Sequence, residues 1–456
     1  MAANWTALVA ILVLYFCAPS RPVSDPKVRY LTLQEAQETL QLYAGSGIPG
    51  SEISTAARWD HWIREQDKQV RSRIDRGTED SISNLILFGT SFTELPRLQS
   101  AEDALAEMDV PSEPARQRVH AFVAAIGKGS SNERLQFVRS YLERKQIRPA
   151  STEMFLTGNL VRFAKEQREY ADRLKQAGST KDLQEVFSAR STLYETRGLS
   201  VDTSLLPNFA LEETLAALVA KGVLKPGSMR RIAVIGPGLD FTDKREGYDF
   251  YPLQTIQPFA VIEALLRTGL ANDSSIHLTT FDLNEAVTEH VSKLAANGRR
   301  GQPYTLQLPR DTEADWNPAA VAYWEHFGDL LGGPVQPLPV PAMLPSVKLR
   351  AVSVRPELAA NLDARDLNIV AETMDFPEGR GFDLVVATNI LVYYDRFQQA
   401  LAMSNIARMM DPSGIFLAND PLPAEHDRRL KYLGRKTVPF SKKGEYGDDV
   451  VVYRRQ

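Results

Sequence analysis

Two periodicities of apolar and polar positions divide the chain. Between Tyr30 and about Leu224 apolar residues recur every three or four positions, the spacing of amphipathic helices, over 33–43, 56–76, 133–145, 157–176 and 211–221. Thr32 and Glu35 make a capping box for the first of these, each side chain able to satisfy the other residue's amide. The strand-like run of this half is 84–88, and Pro111, Pro114 and 127–131 mark its loops. After Lys225-Pro226-Gly227 short apolar runs alternate with helical stretches, the pattern of a parallel α/β sheet. Strands are expected at 232–235, 276–281, 347–354, 367–371, 382–388 and 415–418, with helices at 256–268, 283–297 and 396–410. Two closing strands, 431–438 and 449–454, flank the polar loop SKKGEYGDD. Residues 301–356 read as an insertion rich in proline and aromatics, among them Tyr304, Trp316, Tyr323, Trp324 and Phe327. The expected division is a leader over 1–25, a helical domain over 26–225 and an α/β domain over 226–456.

Composition narrows the class. A chain of 456 residues exceeds what one hydrophobic core usually organises, so at least two domains are expected. With 43% hydrophobic and 24% charged residues it is an ordinary globular protein. A formal charge of −4 carries no basic footprint for nucleic acid. The single cysteine, Cys17, excludes an intrachain disulfide and a cysteine-based zinc site. His290 and His326 lack partners at metal-ligand spacing, and His277, inside an apparent strand, reads as a core histidine.

The stretch WTALVAILVLYFCA, 5–18, has the length of a signal-peptide core rather than of a full membrane span. No lysine or arginine precedes it, while Arg21, Lys27 and Arg29 follow, the asymmetry of an anchor that leaves the remainder on the cytoplasmic side. Export after cleavage and membrane association through 5–18 both fit.

The chemistry centres on RIAVIGPGLDF, 231–241, where four apolar residues run into Gly236-Pro237-Gly238. This is a buried parallel strand ending in a tight turn that a ligand or another element approaches closely. A dinucleotide motif needs a third glycine where Phe241 stands, and no G-K-[ST] of a phosphate loop follows Gly238. Asp282, ending the second strand, is placed to accept ribose hydroxyls or, as the bland alternative, to cap the next helix.

The stretch FDLVVATNILVYYDRFQQALAMSNIARMMDPSGIFLAND, 382–420, carries a family resemblance. It resembles the class I S-adenosylmethionine-dependent methyltransferases, and within them most closely the fourth and fifth strands of the chemotaxis-receptor (CheR-type) enzymes. There a strand of FDLI type leads into R-N-V-L-I-Y-F, a helix, a K-P-G-G turn and another strand. Phe382-Asp383-Leu384, 389–394 and Asp411-Pro412-Ser413-Gly414 match in order and spacing. The likeness covers about 230–456 and implies a mostly parallel sheet closed by an antiparallel C-terminal hairpin. It also implies S-adenosylmethionine as cofactor, with Gly236 and Gly238 at its methionine portion, Asp282 at the ribose, Asp375 at the adenine and Asn389 at the amine or the methyl acceptor. Tyr393 stands at the same mouth. Asp249, in the insertion REGYDFYPLQTIQP over the turn, is the first candidate for a base. Three departures stand out: Val234 replaces the usual acidic residue, the third glycine is missing, and Thr388 replaces arginine before Asn389.

Two functions follow as expectations. One is methyl transfer to an unidentified small molecule or protein side chain by a chain facing the cytosol, where the cofactor is made. The other is an extracytoplasmic interaction protein with a methyltransferase-like fold that no longer binds the cofactor.

Overall fold

The computed structural model describes residues 26–43, 53–129, 131–177, 197–242, 248–377, 379–419, 422, 427–444 and 446–456, so the apolar stretch 5–18 lies outside the described residues. Among the described residues no helix is long and apolar enough to cross a membrane. The strands, in chain order, are β1 (Val28–Tyr30), β2 (Arg231–Ile235), β3 (His277–Asp282), β4 (Tyr304–Asp311), β5 (Gly332–Val335), β6 (Val347–Val354), β7 (Leu362–Asp366), β8 (Glu372–Met374), β9 (Phe382–Ala387), β10 (Met410–Ala418), β11 (Leu430–Pro439) and β12 (Gly447–Arg455). The helices are α1 (Leu33–Leu42), α2 (Ala56–Phe88), α3 (Glu113–Gly127), α4 (Glu133–Arg144), α5 (Pro149–Ala177), α6 (Leu206–Ala220), α7 (Gln257–Arg267), α8 (Glu285–Arg299), α9 (Pro318–His326), α10 (Pro356–Ala360) and α11 (Arg396–Met409).

Seven strands form the central sheet, in the order β7-β3-β2-β9-β10-β12-β11. The first five are parallel, and β12 runs antiparallel to both β10 and β11. The glycine-ended strand β2 is therefore central, between β3 and β9, and the expected antiparallel hairpin closes the far edge.

Both faces of this sheet are covered, which is why its strands read as unbroken apolar runs. Alternate side chains go to opposite cores. Ile232, Val234, Leu384, Val386, Ile415 and Leu417 pack with α6, α7, α8 and the inserted sheet. Ala233, Ile235, Val385, Ala387, Phe416 and Ala418 pack with α11, Leu31, Trp59 and Ile63. The insertion at 301–356 contains a separate antiparallel sheet, ordered β4-β6-β5, and α9. The residues of 347–354 do form a strand, β6, but in this second sheet.

The residues of 26–225 are neither all helical nor a body apart. β1 pairs antiparallel with β8, and Arg29 forms ion pairs with Glu35 and Asp375. α1 keeps its Thr32–Glu35 capping box and lies against α11. Trp59 of α2 is fully buried and donates its indole N–H to the Leu31 carbonyl at 2.6 Å. α6 belongs to the opposite face. A core of the helical part's own comes chiefly from α3, α4, α5 and the second half of α2, with Val201, Leu239, Phe241 and Val287 joining it. The run 84–88 is the end of the 33-residue α2 rather than a strand, because its apolar residues meet α3 instead of a sheet. The third parallel strand is β7, and 367–371 is the tight turn after it. His277, expected in the core, opens β3 with its residue exposed.

After 178–196, which lie outside the described residues, the chain returns as an extended segment crossing α2. Arg73 donates to the Arg197 carbonyl at 2.9 Å, and the Leu199 amide donates to the Arg73 carbonyl at 3.1 Å. A Cβ on Gly77 would stand 1.7 Å from the Leu199 carbonyl oxygen, and one on Gly198 would stand 2.0 Å from the Gly77 nitrogen. Two backbones touch here because neither residue has a side chain. Gly77→Ala should therefore lift this segment off α2 and cost on the order of 2 kcal/mol or more. Chemical denaturation would measure the loss, and limited proteolysis should show new cleavage near 197–204; an unchanged midpoint and protease pattern would contradict the packing.

Candidate functional site

The carboxyl ends of β7, β3, β2 and β9 open into one cavity of about 520 Å³. Open α/β sheets bind ligands at this end, and the volume is that of a small-molecule pocket. Its floor begins at the turn after β2. Gly236 and Gly238 have φ of 68° and 63°, the left-handed region that glycine enters without cost. A Cβ on Gly236 would meet the Ile390 side chain at 2.1 Å, and one on Gly238 the Val201 carbonyl oxygen at 2.7 Å. What comes close to these glycines is thus protein: the residue after Asn389, and the segment arriving from α2. Leu239 and Val201 fix that approach, the Leu239 amide donating to the Val201 carbonyl at 2.7 Å.

Asp282 ends β3 beside this turn and lines the cavity. Its carboxylate accepts the Asn284 amide at 2.8 Å and those of Gly238 and Leu283. Burial pushes its pKa up to about 6, and the three amides oppose that rise. Asn284, not Asp282, is the helix cap, accepting the Ala286 amide at 3.0 Å as α8 begins. Beside the carboxylate lies an apolar wall of Leu283, Leu367 and Ile369. The turn bearing the last two is tied to α2 through polar contacts. Asp67 accepts Asn368 Nδ2, Tyr30 Oη and Arg71 Nε, each at 2.8 Å, and Arg71 also reaches Asp366 at 2.8 Å.

At the end of β9, Thr388 accepts Gln257 Nε2 at 2.5 Å. Asn389 sits exposed in the left-handed region at φ 57°, its amide donating to Asn419 Oδ1 at 2.7 Å. That turn aims Ile390 back at Gly236. Tyr393 and Tyr394 line the cavity, and Arg73 holds the Tyr393 carbonyl at 2.8 Å. Burial raises the Tyr394 hydroxyl to about 12, so it is a hydrogen-bonding group rather than a base.

The parallel core, the central glycine-ended strand and the antiparallel closing hairpin are now all in place. The fold is methyltransferase-like. Structure comparison finds likenesses of low score. The N-methyltransferase NodS of Bradyrhizobium japonicum WM9, in complex with S-adenosyl-L-homocysteine, aligns at 12% identity over 54% of this chain and 85% of its own, with a TM-score of 0.25. Magnesium protoporphyrin IX methyltransferase (ChlM) of Synechocystis PCC 6803, with bound SAM, aligns at 10% identity over 62% and 90%, with a TM-score of 0.26. The [4+2]-cyclase SpnF aligns at 12% identity over 53% and 80%, with a TM-score of 0.25. No protein-family model and no curated protein sequence matches. At these scores the likenesses add no weight of their own, and the fold assignment rests on strand order.

Of the residues singled out in the sequence, Gly236, Gly238, Asp282, Asn389 and Tyr393 come together in the cavity, and two do not. Asp249 is not a base over the site. It is 1% exposed, and its two oxygens hold the amides of Thr90 and Ser91 at 2.7 and 3.1 Å and their hydroxyls at 2.9 and 2.5 Å. Four donors from the helical part make it a staple. Asp375 does not reach an adenine site. It follows β8 on the surface, its side chain 68% exposed, and is gripped by Arg29 with both contacts at 2.6 Å.

Sequence reading missed three groups. Residues 199–207 form a continuous wall of the cavity and carry no motif. Leu367 and Ile369 follow a strand that was placed five residues late. Asp240, one residue past the glycine turn's Leu239, is the carboxylate present where Asp249 was expected. It is 4% exposed, lines the cavity, and accepts Tyr251 Oη at 2.9 Å and Gln254 Nε2 at 2.8 Å. Among the described residues no group of three or more His, Cys, Asp or Glu side chains is placed to hold a metal.

Removing the staple should cost stability. Asp249→Ala leaves four donors without their acceptor and should lower the unfolding free energy by about 2 kcal/mol or more, read from urea denaturation; a loss below about 0.5 kcal/mol would return Asp249 to the surface class. Asp282 should act through pH. Its folded pKa, about 6, lies above the ordinary aspartate value of 3.8, so the native chain retains a proton that the unfolded chain releases in that window. Stability contributed by this group is therefore greatest at low pH and is lost as pH rises through about 6. The stability of Asp282→Asn relative to the native chain should rise by on the order of 2 kcal/mol between pH 4 and pH 7.

Proposed function

We propose that this protein binds S-adenosylmethionine and transfers its methyl group to an acceptor held in the same cavity. One observation carries the reading: Asp282 lines the cavity at the end of the strand beside the glycine turn, its carboxylate fixed by backbone amides. A carboxylate there suits two ribose hydroxyls, and the apolar wall of Leu283, Leu367 and Ile369 suits a purine ring. Tyr393 and Asn389 border the place left for the methionine portion. When bound, S-adenosylmethionine supplies an electrophilic methyl group.

The chain's own contribution is positioning, since an in-line displacement gains chiefly from holding the reacting atoms aligned. Asp282 fixes one end, and the covers over the cavity hold water away. Asp240 takes the role first given to Asp249: a proton lost by the methyl acceptor would pass to its carboxylate. The nearer likeness to chemotaxis-receptor enzymes rests on 382–394 and the Asp411–Gly414 turn, and no receptor glutamate is proposed as substrate. We further propose that residues 5–18 tether a cytosol-facing chain, since the cofactor is cytosolic.

Calorimetric titration with S-adenosylhomocysteine tests the reading. Micromolar binding is expected, and Asp282→Asn should weaken it about 10- to 100-fold, the loss of one or two hydrogen bonds to a charged group. Because the ionised carboxylate is the binding form, affinity should fall as pH drops below about 6, approaching tenfold per unit. A native chain that binds neither S-adenosylhomocysteine nor S-adenosylmethionine at millimolar concentration would leave the interaction-protein function in its place.

A further inference from the structure

We infer that the end of the cavity away from β7 is a methyl-acceptor subsite, and that it takes a small molecule with an aromatic ring bearing an N–H or O–H group. This rests on the methyl-transfer reading. The central sheet runs from β7 at one edge to the β11–β12 hairpin at the other, and the cavity spans it from Leu367 to Tyr446. Asp282 and the purine-sized wall lie toward the β7 end. Toward the hairpin the lining carries the rings of Trp316, Phe440 and Tyr446, and the excursion before α7 adds Tyr248 and Tyr251.

Four of these rings are nearly removed from bulk solvent, at 8%, 8%, 2% and 4% exposure, while Tyr446 is 52% exposed and marks the mouth. Each of the four therefore shows the cavity an edge rather than a face, and Tyr251 already holds Phe250 edge-on and the Arg134 guanidinium over its ring. The enclosure is built before any ligand arrives. Trp316 and Ser441 form an isolated antiparallel bridge, and Asn317 donates its amide to the Phe440 carbonyl at 2.7 Å and its side chain to the Pro439 carbonyl at 2.8 Å. The insertion and the hairpin are thereby one wall. Tyr248 and Tyr251 are backed by Leu344 and Val347, again from the insertion.

A flat apolar ligand buries most surface against such rings, in offset or edge-on contact, and pays no ordering cost where the wall is preformed. Asp240, on the same wall and hydrogen-bonded to Tyr251, gives the site its polar mark: a carboxylate that selects a ligand bearing a proton donor. A protein side chain presented on its backbone would have to displace the covering segments, which a free small molecule need not do.

The test is saturation-transfer NMR on the full chain with indole, phenol and aniline, against cyclohexanol and cyclohexylamine as saturated counterparts. The aromatic fragments should bind at least fivefold better than the saturated ones, and Trp316→Leu and the exposed Tyr446→Ala should each reduce that binding at least threefold. S-adenosylhomocysteine affinity, measured in parallel, should be unchanged in both variants, which also shows that they fold. Equal binding of saturated and aromatic fragments, no binding of either, or aromatic binding indifferent to both substitutions would overturn the proposal. Aromatic selectivity in a chain that binds no S-adenosylhomocysteine would keep the subsite and remove the methyl-transfer reading.

Discussion

One buried guanidinium holds the site's roof. Arg134, at the start of α4 and 1% exposed, donates to the carbonyl oxygens of Asp240, Phe241 and Tyr251. In a compact α/β unit the strand would turn straight into its helix. Here about twenty residues intervene between Gly236 and α7, and such a length of backbone must satisfy its polar groups somewhere. Arg134 supplies donors to both ends of the excursion, and Asp249 accepts from the helical part. Charge-assisted contacts of this kind are stronger than neutral ones, so the helical residues become part of the cavity rather than an appendage.

The same device recurs around the cavity. Arg73 ties 197–199 and Tyr393 to α2, Asp67 and Arg71 tie the turn after β7, and Asn317 ties the insertion to the hairpin. The sheet below is held by apolar alternation, whereas its covers are held by single polar side chains reaching across from another element. Burial alone is non-directional and sets no orientation for a loop, while a hydrogen bond to a particular carbonyl does. Preorganisation of the site therefore rests on residues outside it.

This division explains what was legible in the sequence. The parallel strands announced themselves as apolar runs because both their faces are covered, and β2, β3 and β9 lie where those runs stand. Asp282 was legible because it ends such a run. The helical half misled because α2 and α6 present apolar residues to partners in the α/β half, so periodicity gave the helices but not their allegiance. Asp249 was chosen for its place in the insertion over the turn, and Asp375 by the family resemblance, just before the fourth strand. Each proved committed to a partner far away in sequence, Thr90 and Arg29, and no local pattern encodes such a partnership. The wall at 199–207 is held by backbone pairing, by Asp202 accepting from Ser81 and Asn84, and by the neighbouring Gly77–Gly198 contact, none of which composition distinguishes from any loop.

The pairing of β1 with β8 has a consequence for how the chain folds. Arg29 and Asp375 are 346 residues apart, yet they flank the same two-stranded ladder. The first described strand, and the Leu31 backbone that receives Trp59, cannot settle until most of the chain has been synthesised. Contacts of such separation carry the largest closure entropy and slow folding. The N-terminal helices therefore keep part of their apolar surface uncovered until the β8 edge that β1 joins has been made.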